Sequence, residues 1–174
     1  NNQQIKLINQ LDRFINPKKT ILNYLLNTKK KLCFYLQGNV GVGKTMLLDF
    51  AFKHFAEKKL RIHFNEFMIN FHDFRHKQVN DSSIKSFVKN LKTKYEIIYL
   101  DEFQVTNIVD AMILGKLFEV IFFENIKIII TTNIKLNDLY KDGLQREQFL
   151  PFISIIDKNS IQKELLLDDD YRLL

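Results

Sequence analysis

The sequence predicts an α/β fold, a parallel sheet flanked by helices on both faces, and three observations lead there. From residue 31 onward, short apolar runs alternate with longer stretches at helical spacing. The runs are apolar on consecutive residues, as in strands buried on both sides of a parallel sheet. The first run passes directly into "GNVGVGKT", which holds three of the chain's five glycines, and a helical pattern follows at once. A glycine-dense turn from strand to helix is the context of a phosphate-binding loop.

The elements follow in order. "QIKLINQLDRFI" places Ile5, Ile8, Leu11 and Ile15 on one face of a first helix. Pro17 ends it, and "TILNYLLNT" supplies a second helix. "LCFYLQ" is the first strand, and "KTMLLDFAFKHFAEK" a helix with Leu47, Phe50, Ala51 and Phe55 inward. "LRIHF" is the second strand. Two helices follow, "FMINFHDFRHKQV" and "SSIKSFVKNLKTK", with Asp81 or Ser82 capping the latter. "YEIIYL" is a third strand ending at Asp101, and "NIVDAMILGKLFEVIFF" a helix with Ile108, Val109, Met112, Leu117 and Ile121 on its apolar face. "IKIIITT" is a fourth strand. A polar helical segment through "NDLYKDGLQREQFLPF" then leads to a last strand, "QKELLL".

At 174 residues this is one domain, with residues 1–30 expected as a helical segment packing on a core of 31–174. A 46% hydrophobic content and 16 Phe supply a substantial core and exclude a chain dominated by disorder. A single cysteine, Cys33, excludes an internal disulfide framework, fits a reducing compartment, and reads as core within "LCFYL". No run approaches the roughly 18 apolar residues of a membrane span. The chain opens on Asn rather than Met, which fits a processed or shortened chain, and shows no secretory signal. The net charge of +6 comes from scattered lysines with a small cluster at Lys29, Lys30 and Lys31, a pattern that favours a solvated surface over a nucleic-acid groove.

In parallel sheets ligands bind beyond the carboxyl ends of the strands, which directs attention to residues 37–45, 101–104 and 131–133. Gly38 to Thr45 fits G-x-x-x-x-G-K-[ST]. Backbone N–H groups of Gly38, Asn39, Val40, Gly41, Val42 and Gly43 would surround phosphate oxygens, a task that side chains would obstruct. Lys44 would reach the β- and γ-phosphates of ATP, and the Thr45 hydroxyl would help to hold Mg²⁺. Asp101, emerging from a buried strand, is placed to hold the hydration shell of that Mg²⁺. Glu102 would polarise the attacking water, which favours hydrolysis over simple binding. Asn133 follows "IIITT" and would bond the water or the γ-phosphate, while also serving as a helix cap.

A phosphate loop, an acidic pair and a polar strand tip in this order resemble the AAA+ branch of the P-loop NTPases. "IHFNEFM" (Ile62 to Met68), "DEFQVTNIVDAMILGKLF" and "LYKDGLQREQFLPFI" sharpen this into a resemblance to the ZapE family, ATPases of bacterial cell division related to mitochondrial AFG-type ATPases. It extends from about Leu32 to Arg172. Asn65 stands where that family typically has His, and Asn39 replaces a common second loop glycine. The resemblance implies an ATP- and Mg²⁺-dependent homo-oligomer, a ring with shared sites, acting on a protein partner of the division machinery or in protein quality control. It further implies a cytoplasmic protein with peripheral association at the inner membrane face.

A shared site needs a cation from the neighbouring subunit, for which Arg146 is the first choice and Arg172 the reserve. Phe67 and Met68 fall where many AAA+ rings place a substrate-gripping loop, with helix-core packing as the default. The family continues into a helical lid where this sequence stops, so the lid is expected to be missing or truncated, and turnover impaired. Two alternatives stand beside this reading: a nucleic-acid-associated AAA+ ATPase of helicase-loader type, and a nucleotide-binding family member without turnover. "HDFRH" has the two-histidine spacing of a zinc helix, but His72 and His76 with no third ligand read as residues of a helix face.

Overall fold

The computed structural model describes residues 2–17, 30–54, 58–77 and 83–166. Five strands form one sheet: β1 (Cys33–Gly38), β2 (Lys59–His63), β3 (Ile97–Asp101), β4 (Lys127–Thr132) and β5 (Ser160–Leu165). All pairings are parallel and the order is β2-β3-β4-β1-β5. The described helices are α1 (Asn2–Ile15), α2 (Lys44–His54), α3 (Phe64–His76), α4 (Ser83–Lys94), α5 (Ile108–Phe123) and α6 (Leu150–Asn159).

Successive strand residues point to opposite faces, and the core divides accordingly. Phe34, Leu36, Ile97, Tyr99 and Ile129 face α1 and α2, where Leu7, Leu11, Leu47 and Leu48 meet them. Tyr35, Ile98, Leu100, Ile128 and Ile130 face the opposite layer with Phe67, Phe71, Leu117, Phe118 and Phe152. Each such fully buried side chain contributes roughly 1.5–3 kcal/mol. Both faces are therefore covered, which is why the strand runs lack polar alternation.

Adjacent strands β1 and β4 send their connections to opposite edges, through α2 to β2 and through α6 to β5. A crevice opens at their carboxyl ends for that reason.

Several local expectations are corrected. The buried stripe of α1 is Leu7, Leu11, Phe14 and Ile15, while Ile5 is exposed, because the helix docks one position round from the expected face. On α2, Phe50 is partly exposed and stacks on His54 at 4.2 Å instead of entering the core. On α5, Val109 and Met112 lie outward, and Ala111, Leu114, Leu117, Phe118 and Ile121 lie inward. That helix is apolar on nearly every side, so the stripe expected from the sequence is not the one that packs, and Gly115 lies close against Pro151 and Phe152.

The segment after β4 is not one polar helix. It forms two short 3-10 turns, Leu136–Asp138 and Arg146–Gln148, before α6, which begins with Pro151 in its first turn. The expected helix "TILNYLLNT", the inward Phe55, the Asp81 or Ser82 cap and Arg172 lie outside the described residues.

Candidate active site

A cleft of about 880 Å³ opens at the carboxyl ends of the strands, lined among others by Gly41, Lys44, Thr45, Asp101, Glu102 and Asn133. All three stretches singled out from the sequence meet there. The loop between β1 and α2 turns on Gly41 and Gly43, with φ of +84° and +90°, a conformation that side-chain-bearing residues rarely adopt. Val42 is buried, whereas Asn39, Val40 and Gly41 are exposed. Lys44 opens α2, and its ammonium donates to the carbonyls of Gly38 at 2.6 Å and Asn39 at 2.7 Å. It thus lies across the mouth of the loop, and burial lowers its pKa.

Asp101 ends β3 and is 7% exposed. Its Oδ1 accepts from the Thr131 hydroxyl at 3.0 Å, and its Oδ2 accepts from Arg61 Nε at 2.7 Å. Arg61 also pairs with Asp49 on α2. Burial pulls the Arg61 pKa down, but the hydrogen bonds to Asp49 and Asp101 outweigh it and the net direction is up.

Glu102 has a left-handed backbone, φ +53°, and a side chain 84% exposed in the cleft. The ring of His63 at the tip of β2 stands 3.8 Å from its carboxylate, beyond hydrogen-bond reach. The following residue fixes this turn. Phe103 N–H donates to Thr131 O at 2.8 Å, and the Thr132 hydroxyl donates to Phe103 O at 2.7 Å. The Phe103 ring is wholly buried, 4.1 Å from Phe64 and stacked on Phe152 at 5.6 Å. A non-glycine residue in left-handed backbone costs on the order of 1 kcal/mol, which these contacts offset.

Asn133 lines the cleft beyond β4 and is exposed. Arg146 lies elsewhere. Its guanidinium donates to Asn137 O at 2.6 Å, tying the two 3-10 turns together, and its Nε is buried without a partner among the described residues. It does not line the cleft of its own chain.

Phe67 and Met68 are each 1% exposed and pack in the core from α3, so neither is presented for gripping a substrate. His72 Nε2 and Asp110 Oδ1 are 2.7 Å apart, tying α3 to α5. No group of three or more metal-ligating residues occurs among the described residues. Among the residues lining the cleft, Thr45 and Asp101 offer a hydroxyl and a carboxylate that could hold a metal. That set fits Mg²⁺, a hard ion that keeps several waters and takes its other ligands from phosphate.

Sequence reasoning missed three contributors: Arg61, His63 and Thr131. The rule about strand carboxyl ends applies equally to β2, whose tip carries His63, as to β1, β3 and β4. Thr131 lay inside the flagged stretch, but nothing in the sequence distinguished a hydroxyl that holds Asp101 from an ordinary strand residue.

The family model described as AFG1-like ATPase matches residues 3–174. The chain belongs to the AFG1-like ATPase family. Cell division protein ZapE of Escherichia coli K12 is 36% identical over 141 residues, covering 80% of this chain and 38% of that protein. Lactation elevated protein 1 homolog B of Danio rerio is 41% identical over 139 residues, covering 71% of this chain and 27% of that protein. This AFG1-like chain thus spans well under half the length of either relative. Among solved structures, the DnaC helicase loader superposes with a TM-score of 0.65 at 15% identity, covering 95% of this chain and 92% of that one. The parallel sheet of this AFG1-like chain, with helices on both faces, thus has the AAA+ P-loop fold. Among its described residues no helix is long and apolar enough to cross a membrane.

Proposed function

We propose that this chain binds ATP with Mg²⁺ in the strand-end cleft and hydrolyses it. The observation that carries the reading is the convergence of Lys44, Asp101 and Glu102 on one cleft, with the Glu102 carboxylate open to solvent and held on a fixed turn. Backbone N–H groups from Gly38 to Gly43 bind the phosphates, and Lys44 exchanges its loop carbonyls for phosphate oxygens. Thr45 would hold Mg²⁺ and Asp101 its hydration shell, and the ion would supply positive charge to the phosphates. Glu102 orients the attacking water and accepts its proton, and Asn133 fixes the water's position from the tip of β4.

Steady-state turnover of the wild type, Lys44→Ala and Glu102→Gln tests this reading. Lys44→Ala should lose ATP binding. Glu102→Gln should bind ATP and turn it over at least about 100-fold more slowly. Equal rates in all three would remove the assignment.

Beyond Lys44, the charge that builds on the transferred phosphoryl group calls for a further cation, which we assign to a neighbouring subunit. Arg146, placed outside its own cleft, serves a neighbouring subunit in a homo-oligomeric ring. Mixing Arg146→Ala with Glu102→Gln protein should partly restore activity, and the absence of rescue in a demonstrated oligomer would count against a shared site.

The similarity to a protein named for cell division supports a protein partner of the division machinery, and we propose that the chain meets it from the cytoplasm at the membrane's inner face. A second reading, action on nucleic acid, rests on the net charge of +6 alone. A salt-dependent DNA mobility shift would support that reading, and no binding at low salt would remove it.

A further inference from the structure

Arg61 stands where the proposed chemistry needs a metal-facing carboxylate to be available. β2 pairs with β3 so that Arg61 lies beside Tyr99 and His63 beside Asp101. The Arg61 side chain therefore rises on the same sheet face as Asp101 and reaches it one step further along. Nε takes Asp101 Oδ2 at 2.7 Å, and Nη1 takes Asp49. Asp49 lies four residues after Thr45 on α2, hence on the same side of that helix. One guanidinium is thus shared between the carboxylate expected to face the metal and a carboxylate one turn beyond the hydroxyl expected to bind it.

The two carboxylates are not equivalent. Asp101 has a side chain 11% exposed, and without a cation its charge would rest on the Thr131 hydroxyl and whatever water the cleft admits. Asp49 is 51% exposed and is solvated on its own. A divalent ion held at Asp101 would repel the guanidinium at close range, since both side chains of the pair are largely shielded from water. Arg61 needs only to give up Asp101 and keep Asp49.

We propose that Arg61 is a resident counter-cation of the metal carboxylate: it neutralises Asp101 in the metal-free protein and withdraws onto Asp49 when the divalent ion arrives. Metal loading is then an exchange of cations, and Asp49 sets how readily the guanidinium leaves. The inference rests on the Mg²⁺–ATP reading of the cleft and adds a positioning residue to it.

The test is the Mg²⁺ midpoint for binding a fluorescent ADP, measured for the wild-type chain, Arg61→Gln and Asp49→Asn, with no turnover involved. Arg61→Gln removes the competitor and should lower the midpoint by about fivefold. Asp49→Asn removes the resting place, leaves Arg61 on Asp101 alone and should raise the midpoint by about threefold. Asp49 is exposed, so its variant folds even if Arg61→Gln does not. A purely structural Arg61 would move neither midpoint, or would move both upward, and either result overturns the exchange. A wild type that binds ADP in a Lys44-dependent manner, with midpoints that do not split, defeats this inference alone. No Mg²⁺-dependent nucleotide binding at all defeats it together with the proposed function.

Discussion

Replacing Thr131 with valine isolates the hydrogen bond that orients the metal carboxylate. The two side chains have nearly the same shape, so no cavity opens around a residue that is 4% exposed. What is lost is a hydroxyl donor 3.0 Å from a buried, charged oxygen. Hydrogen bonds to charged groups are worth about 1.5–3 kcal/mol. Asp101 keeps Arg61 at 2.7 Å, which compensates part of the loss, so the net cost should be about 1–2 kcal/mol. For a domain of this size that is a drop of roughly 3–6 °C in melting temperature. Guanidinium unfolding followed by circular dichroism reads it as a lower midpoint with an unchanged slope. Backbone bonding at Thr131 O survives, so the Glu102 turn should remain and nucleotide should still bind. Unchanged or increased stability would show that the hydroxyl does not hold Asp101 against Arg61.

Glu102→Gly should abolish turnover and yet stabilise the fold by about 1 kcal/mol, since glycine relieves the left-handed backbone at φ +53°; a lower unfolding midpoint would contradict the strain. The buried Tyr99 hydroxyl has no partner among the described residues, so Tyr99→Phe should change stability near neutral pH by less than about 1 kcal/mol in chemical denaturation. Burial also pushes the Tyr99 phenol up to about 12, partly countered by Arg61. Its folded pKa lies above the unfolded one, so stability present below about pH 10 should fall as pH rises toward 12. Tyr99→Phe should flatten that fall, and an equally steep alkaline loss in the variant would exclude Tyr99 as its source. His72→Leu should cost about 1–2 kcal/mol by removing a partner from Asp110 while leaving ADP affinity unchanged; a parallel loss of affinity would mean that the α3–α5 contact reaches the cleft.

How much of this was legible in the sequence depended on how local the cause was. The phosphate loop is written within eight residues, because its backbone conformation demands glycine at set places. The Asp101–Glu102 pair was legible because an apolar strand delivers it. The face of α5 was not, since a helix apolar all round carries no period to read. The helix α6 was lost behind "GLQRE", whose polar residues hid that the helical run begins only at Leu150. Arg61 was illegible for another reason: its importance lies in register, in the step that sets β2 beside β3, and no residue near it in sequence announces that partner.

The tip of β4 has a mechanical consequence. Thr131 carries Asp101 through its hydroxyl and Phe103 through its carbonyl, Thr132 returns to Phe103 O, and Tyr35 of β1 bonds the carbonyl of Ile134 at 2.8 Å. The carboxylate assigned to the metal and the one assigned to water hang from the same two-residue bracket. A substitution that displaces the tip of β4 should therefore disturb both carboxylates at once, the first through the lost hydroxyl and the second through the turn that Phe103 anchors.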